Sequence, residues 1–143
     1  MPSLTPHQAR EAFTASRVAR LATADPAGRP HLVPVVFAVT GDTVVLAVDH
    51  KPKRSIRLKR LANITANPAV CLLADGYHEE WDRLWWARAD GDARVLLPAA
   101  ECARSGHHVA LLTAKYRDQY ANRAPAGPVV EVTVRRWSGW RAT

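Results

Sequence analysis

The sequence has little cysteine and no long apolar segment. Its two cysteines, Cys71 and Cys102, are too few for the disulfide framework of a small secreted domain, so we expect free thiols in a cytoplasmic protein. The N-terminus has no basic segment followed by an apolar one, and no stretch approaches the roughly 20 apolar residues of a membrane span. The sequence therefore predicts neither a signal peptide nor a membrane partner.

The short motifs that mark common catalytic sites are also missing. The chain contains no HExxH, no CxxC, no glycine-rich dinucleotide fingerprint and no GxSxG elbow. The adjacent His107 and His108 would diverge by roughly 100° on a helix and would not chelate one metal ion. We therefore expect no metal site, and no side chain stands out as a nucleophile or a general base.

Acidic residues are scarce relative to basic ones. The chain has 13 Asp and Glu against 20 Lys and Arg, a net charge of +7 and a pI near 10.1. Such a balance favours anionic partners, and charge alone leaves nucleic acid, an acidic membrane surface and a phosphorylated ligand open. At 143 residues, 48% of them hydrophobic, the chain fits one domain over 1–143 with its own core.

Alternating apolar and polar residues predict a mainly β protein with flanking helices (α+β). The clearest pattern runs from Trp85 to Leu97, where strict period-2 alternation predicts a long strand with one buried face. Short turns, among them Asp75-Gly76, favour antiparallel pairing and a closed or partly closed six-stranded barrel. The six predicted strands are 18–23, 31–39, 43–48, 70–74, 85–97 and 129–137.

Three helices are predicted between these strands. Residues 6–15 follow a capping box formed by Thr5 and Gln8, with Pro6 at the first helical position. Residues 55–67 have Ser55 as the expected N-cap and end before a proline. Residues 98–114 form the third helix, in which Gly106 is a weak point that could divide it.

The most distinctive segment is the basic run from Asp49 to Arg60, in which six of twelve residues are Lys or Arg. It joins the end of a strand to the start of a helix, where unpaired backbone N–H groups and the helix dipole favour anions. With Lys51, Lys53, Arg54 and Arg57 added, the run predicts a phosphate site. Helical spacing places Arg54 and Arg57 beside the apolar face and turns Lys59 and Arg60 away. A solvated basic turn is the alternative.

One proline and two tryptophans are further candidates for ligand-binding residues. Pro34 lies inside the predicted strand 31–39, where it marks either an ordinary sheet edge or backbone groups available to a ligand. Trp86 lies on the polar face of its strand, and Trp140 lies near the C-terminus. Indoles in such positions are typical of an interface or a ring-stacking surface, with plain packing as the alternative.

Short motifs follow one another along most of the chain. They are Arg20-Leu21-Ala22-Thr23, Gly28-Arg29-Pro30-His31, Val33-Pro34-Val35, Val48-Asp49-His50-Lys51-Pro52-Lys53, Asn67-Pro68, Leu84-Trp85-Trp86-Ala87-Arg88-Ala89, Gly127-Pro128-Val129 and Gly139-Trp140-Arg141. No single motif is specific, but the ordered set resembles the deazaflavin (coenzyme F420)-dependent branch of the pyridoxamine-phosphate-oxidase-like (PPOX class) split β-barrel family.

This resemblance implies an FMN-binding-like, six-stranded split barrel and a homodimer with two cofactor sites at the subunit interface. It implies that the second strand lines the cofactor ring, that the third strand and the basic turn hold the phosphate, and that a partner's tryptophan borders the pocket. An ungapped comparison with FMN-using relatives would move the phosphate contacts to Lys59 and Arg60. The implied cofactor-binding residues are His31, Val33, Pro34, Val35, Val48, Asp49, Lys51, Lys53, Arg54, Arg57, Trp86 and Trp140.

The function implied by the resemblance is an oxidoreductase that transfers a hydride between reduced F420 and a small organic substrate. The lack of an evident catalytic acid or base is compatible with this function, because in such enzymes the cofactor carries the reaction. F420 is favoured over FMN because its phosphate and glutamate chain make it a long polyanion. Alternatives are an FMN-binding oxidoreductase and a non-catalytic F420 carrier. A nucleic-acid partner is not expected, because the run from Lys51 to Arg60 has no base-stacking aromatic residue other than the preceding His50.

Overall fold

The fold, seen in a computed structural model, is an antiparallel sheet with three helices around it. The structure describes residues 3–48 and 54–143, with the backbone alone at 54–58. Within these ranges no helix is both long enough and apolar enough to cross a membrane. The elements are α1 (Pro6–Ala15), β1 (Ala19–Ala24), β2 (Pro30–Val35), β3 (Ala38–Thr40), β4 (Thr43–Ala47), α2 (Arg54–Ala66), β5 (Ala69–Gly76), a short 3₁₀ helix (Trp81–Arg83), β6 (Trp85–Leu96), α3 (Ala103–Lys115) and β7 (Val129–Arg141).

The seven strands found in the described residues form one sheet in the order β2-β1-β5-β6-β7-β4-β3. Strands β2 and β3 lie at opposite edges of this sheet, yet only Val36 and Phe37 separate them in the chain. The sheet must therefore curl until its two edges meet at this bend. No strand pair among the described residues joins β2 to β3, so the hydrogen-bonded sheet is not closed.

The prediction of one continuous strand over 31–39, and hence of six strands, is wrong. The strand breaks at Phe37, whose backbone N–H and carbonyl both bond to the Tyr116 hydroxyl instead of to a neighbouring strand. Asp75 and Gly76 also depart from prediction, because they continue β5 opposite Trp86 and Trp85 and do not form a turn.

The main core lies inside the curled sheet and is closed by α1. Phe13 of α1 packs against Phe37, with ring centroids 4.7 Å apart, and against Trp137, at 5.4 Å. The inner face of β6 confirms the predicted alternation, with small buried residues at every second position: Ala87, Ala89, Gly91 and Ala93.

The helices follow local sequence signals closely. Helix α1 has the predicted bounds, and its capping box is formed by Thr5 and Gln8. Helix α3 begins later than predicted, at Ala103, and Gly106 does not divide it. Helix α2 begins at Arg54, so Ser55 lies inside the helix and is not its N-cap.

A buried carboxylate fastens α3 to the sheet. Glu131 of β7 is 2% exposed and accepts hydrogen bonds from Arg104 Nε and His108 Nε2, both at 2.6 Å, and from Arg94 Nε at 3.0 Å. Burial opposes ionisation of Glu131, but these hydrogen bonds outweigh it and lower the pKa to about 2. The carboxylate is therefore charged at neutral pH and holds α3 in place.

Candidate functional site

A groove of about 290 Å³ opens between the ends of β2 and β4. We name it the Pro34 groove. Its walls are mostly apolar, and among the described residues Arg60 of α2 brings a positive charge to it. Its lining residues are Val18, Pro34, Val35, Val36, Leu46, Ala47, Val48, Arg60 and Tyr120.

The β2 wall of this groove is a sheet edge, as Pro34 predicts. Strand β2 pairs only with β1 among the described strands, and Pro34 lies opposite Arg20. Proline has no N–H to donate to a ladder, so an edge is where it is tolerated. Val35 turns its side chain into the buried layer, while Pro34 is exposed at the groove. The edge thus offers a ligand both apolar contact and backbone hydrogen-bonding groups.

The β4 wall is fixed by the segment that precedes β7. The Val48 N–H donates to the Pro128 carbonyl at 3.0 Å. Gly127 passes so close that a Cβ there would lie 3.2 Å from the Val48 carbonyl oxygen, which explains the small residue at this point. Val48 is therefore held in a buried, defined position at the groove.

Arg60 supplies the positive charge of the groove. Its side chain is half-buried, and its buried Nε has no hydrogen-bond partner among the described residues. Burial lowers the pKa of Arg60, since the charged guanidinium loses solvation. An unpaired buried donor on a cation is costly, and an anionic ligand group would satisfy it.

Tyr116 holds the bend that forms one end of the groove. Its hydroxyl accepts from the Phe37 N–H at 3.1 Å and lies 3.0 Å from the carbonyls of both Phe37 and Arg17, to which it can donate. The side chain is 4% exposed, and burial raises the pKa of Tyr116. One hydroxyl therefore fixes the backbone of Arg17 and of Phe37, the residues next to the groove residues Val18 and Val36.

A second groove, of about 410 Å³, lies on the outer face of the sheet. We name it the Trp86 groove. Trp86 of β6 and Trp140 of β7 are directly opposite each other across the strand pair. The Arg88 guanidinium lies 5.6 Å from the Trp86 ring centroid. The lining residues are Leu73, Asp75, Gly76, Tyr77, Leu84, Trp85, Trp86, Arg88 and Trp140.

The structure divides the predicted site residues between these two grooves. Pro34, Val35 and Val48 line the first, whereas Trp86 and Trp140 meet in the second. His31 and Val33 lie half-buried on β2 outside both linings, and the buried His31 Nδ1 has no hydrogen-bond partner among the described residues. The predicted cofactor-binding residues Asp49, Lys51 and Lys53, and the side chains of Arg54 and Arg57, lie outside the described residues.

The prediction that Arg60 turns away from the groove is wrong. Arg60 lies three and four residues before Asn63 and Ile64, both buried, so all three share the inner face of α2. Lys59 is exposed, as predicted. Tyr120 was not among the predicted site residues, because it lies in the polar segment between α3 and β7, which carries no periodic pattern. It follows Tyr116 by four residues and is in ring contact with it.

No metal centre accompanies these grooves in the part of the chain that the structure describes. No three His, Cys, Asp or Glu side chains come together there as a possible ligand set. Cys71 and Cys102 are separate free thiols. What the Pro34 groove can do is bind: it combines apolar walls, a sheet edge and a half-buried cation.

The chain belongs to the pyridoxamine 5'-phosphate oxidase family, whose model matches residues 5–141. That match spans all three helices and all seven strands of the structure. Among curated proteins, none matches the sequence.

Solved structures share the fold over nearly the whole chain. An FAD-binding protein from Mesorhizobium loti has 21% identity and a TM-score of 0.68, covering 96% of this chain and 95% of its own. The FAD-binding protein from Mycobacterium smegmatis has 20% identity and a TM-score of 0.63, covering 98% of each chain. The heme storage protein from Vibrio cholerae has 13% identity and a TM-score of 0.66, covering 92% of this chain and 90% of its own.

Proposed function

We propose that this protein is an oxidoreductase that binds a phosphorylated flavin-type cofactor in the Pro34 groove, and that the cofactor is coenzyme F420. The observation that carries the proposal is that Arg60 lines an apolar groove at a sheet edge while its buried Nε has no hydrogen-bond partner among the described residues. The family match and the two FAD-binding structural neighbours support a cofactor of this class.

The residues of the groove fit such a cofactor. Arg60 would hold the phosphate, since its guanidinium combines charge with the unpaired donor. Val35 and Val48 would give the ring system apolar contact, and the β2 edge would meet its polar rim. The basic run that leads into α2 would add further anion contacts from Lys51, Lys53, Arg54 and Arg57. When bound, the cofactor supplies hydride-transfer chemistry, while the groove orients it and excludes water.

The choice of F420 over FMN rests on charge. FMN carries one phosphate, whereas F420 carries a phosphate followed by a chain of glutamates. A net charge of +7, with six basic residues between Asp49 and Arg60, favours the longer polyanion. FMN or FAD is the alternative, and the FAD-binding neighbours support it.

We further propose a homodimer that pairs the outer faces of β1, β2 and β5. Leu32 is 67% exposed and Leu73 is 36% exposed on this face. Their cross-strand partners Ala22 and Arg20 are two residues apart on β1, so both leucines point to the same side. A two-fold interface there would cover both leucines and bring the Trp86 groove of one protomer toward the Pro34 groove of its partner.

Parallel titrations with F420, FMN and FAD, each followed by the cofactor's own fluorescence, test the cofactor. We expect saturable binding with the tightest affinity for F420. Tighter binding of FMN or FAD would overturn the choice of F420 and leave a flavin oxidoreductase. No binding of any of the three would overturn the proposal as a whole.

A carrier without turnover is the second candidate. Among its described residues the Pro34 groove offers Arg60 and Tyr120 as side chains with an ionisable group, and it has no carboxylate or imidazole to act as a general base. A neighbouring structure with a storage role supports this alternative. Steady-state oxidation of reduced F420 with a panel of conjugated acceptors separates the two: turnover is expected, and tight binding without turnover would assign the carrier role.

A further inference from the structure

The Trp86 groove has the dimensions and walls of a small-molecule site. Its volume of about 410 Å³ lies in the range of ligand pockets, which run from roughly 300 to 1,000 Å³. Trp86 and Trp140 stand side by side on neighbouring strands, and Tyr77 and Trp85 add two more rings. Walls of this kind favour a planar aromatic ligand, which gains from ring stacking as well as from burial.

The charges of this groove are already compensated. Asp75 accepts from Arg20 at 3.1 Å, and Arg88 donates to Asp90 at 3.0 Å. Asp75 and Arg88 are the two charged residues among the described lining residues, so no unpaired charge faces the ligand. An anionic ligand would lose solvation there without gaining an unpaired cation. A cationic ligand would lose solvation too and would compete with Arg88, which already lies over the Trp86 ring, so the groove favours an uncharged ligand.

The Trp86 groove is separate from the Pro34 groove. The two share no lining residue. Arg20 of β1 lies between them, because Pro34 is its partner on β2 and Leu73 is its partner on β5. Within one protomer the second groove therefore has walls and charge of its own, while in the dimer proposed above it faces the Pro34 groove of the partner, where a ligand would lie beside the cofactor.

We infer that the Trp86 groove binds an uncharged, planar aromatic molecule. Its role as the substrate site of the reaction rests on the function proposed above, while the binding itself does not. The inference thus names the substrate class that the proposed oxidoreductase takes.

Three ligands with one ring system test the inference on the full chain. They are neutral 2-naphthol, anionic 2-naphthoate and cationic 2-naphthylmethylammonium, each titrated at pH 7 and followed by its own fluorescence. We expect saturable binding of 2-naphthol at one site per chain, with at least threefold weaker binding of both charged ligands. Equal affinity for all three, or no saturable binding of 2-naphthol, would overturn the inference.

Tryptophan variants locate the site. Trp86→Leu should weaken 2-naphthol binding roughly three- to tenfold, which is the effect of losing one aromatic contact. Trp81→Leu is the matched control, because Trp81 is 70% exposed and lies outside the groove, and we expect less than a twofold change. Equal losses in both variants would show that 2-naphthol binds elsewhere and would overturn the assignment.

Cofactor titrations of the same samples separate this inference from the proposed function. Binding of 2-naphthol without binding of F420, FMN or FAD would keep the aromatic site and overturn the oxidoreductase. Binding of a cofactor without binding of 2-naphthol would keep the proposed cofactor site and overturn the aromatic site.

Discussion

Arg17 and Lys115 cap each other's helices. Arg17, just after α1, donates from Nη1 to the Lys115 carbonyl at the end of α3, at 3.1 Å. Lys115 donates from Nζ to the Thr14 carbonyl near the end of α1, at 3.2 Å. Cations stabilise helix C-termini, where carbonyl groups lack partners. Lys115 Nζ also lies 3.7 Å from the ring centroid of Phe37, so this exchange is made beside the bend that shapes the Pro34 groove.

The first prediction concerns the charge of Lys115. Burial, aided by the nearby Arg17, lowers the pKa of Lys115 from 10.5 to about 8. The unfolded chain therefore binds more protons than the folded one between about pH 8 and pH 10.5, and the contribution of Lys115 to stability rises with pH across that window. An NMR titration of the Lys115 side chain should give the lowered pKa. In urea unfolding over the same pH window, the free energy of unfolding of Lys115→Met should rise less with pH, or fall more steeply, than that of the wild type. A side-chain pKa near 10.5 would contradict this.

The second prediction concerns acid stability. Glu131 has a pKa of about 2 in the folded protein and an ordinary value of 4.5, so its stabilising contribution is present above about pH 4.5 and is lost as pH falls toward 2. Glu131→Gln should lower the free energy of unfolding at pH 7 by about 2–3 kcal/mol, because three hydrogen bonds to a buried charge are weakened. Urea unfolding of the wild type and of Glu131→Gln at pH 7 and pH 3 measures the loss at pH 7 and its decrease in acid.

Asp92→Asn is the matched control for Glu131→Gln. Asp92 pairs with Arg135 at 3.0 Å on the surface, where both side chains are at least half exposed. Such a pair contributes less than about 1 kcal/mol. A loss in Asp92→Asn equal to that in Glu131→Gln would show that burial of Glu131 does not matter.

The third prediction concerns the Tyr116 hydroxyl. Tyr116→Phe removes the only partner that the structure shows for the buried Phe37 N–H, and it should cost about 1–3 kcal/mol of stability. Because Val35 and Val36 adjoin this bend, F420 binding should also weaken at temperatures where the variant is fully folded by circular dichroism. Tyr77→Phe, at an exposed position, should leave the stability unchanged. Unchanged F420 affinity in folded Tyr116→Phe would show that the hydroxyl does not shape the groove.

The fourth prediction contrasts two glycines. A Cβ at Gly91 would collide with the Thr133 carbonyl oxygen, whereas a Cβ at Gly106 of α3 would meet nothing within 4 Å. Gly91→Ala should therefore destabilise the protein, and Gly106→Ala should stabilise it by about 0.5–1 kcal/mol, because alanine favours the helix. Thermal unfolding of the two variants should move the midpoint in opposite directions, and a shift in the same direction would contradict the packing at Gly91.

Sequence alone predicted the parts of this fold that depend on neighbouring residues. The capping box of α1 and the alternation of β6 are local patterns, and both are confirmed. The break at Phe37 was missed because it depends on Tyr116, which is 79 positions away in the chain. Glu131 alternates with Val130 and Val132 in the sequence, a pattern that favours a solvent-facing side chain. It is buried because α3 covers that face of β7, which no local pattern reveals.

The candidate site was predictable only in part, for the same reason. Pro34 marked a sheet edge because proline lacks an N–H, and that property is local. The side on which Arg60 lies depends on which face of α2 meets the sheet, and that is decided by the burial of Asn63 and Ile64. The separation of Trp86 and Trp140 from the Pro34 groove depends on pairing across the whole sheet. Strands β1 and β5 lie between them and β2, and β4 pairs with β7 at residues 129–133, away from Trp140.

The most direct measurement compares F420 with its deazaflavin precursor that lacks the phosphate and the glutamates, in the wild type, in Arg60→Gln and in the neighbouring control Lys59→Gln. The wild type and Lys59→Gln should bind F420 more tightly than the precursor. Arg60→Gln should lose roughly ten- to a hundredfold of that preference, the effect of one hydrogen bond to a charged group, with affinity for the precursor unchanged. A preference that persists undiminished in Arg60→Gln would contradict the assignment of the phosphate to the Pro34 groove.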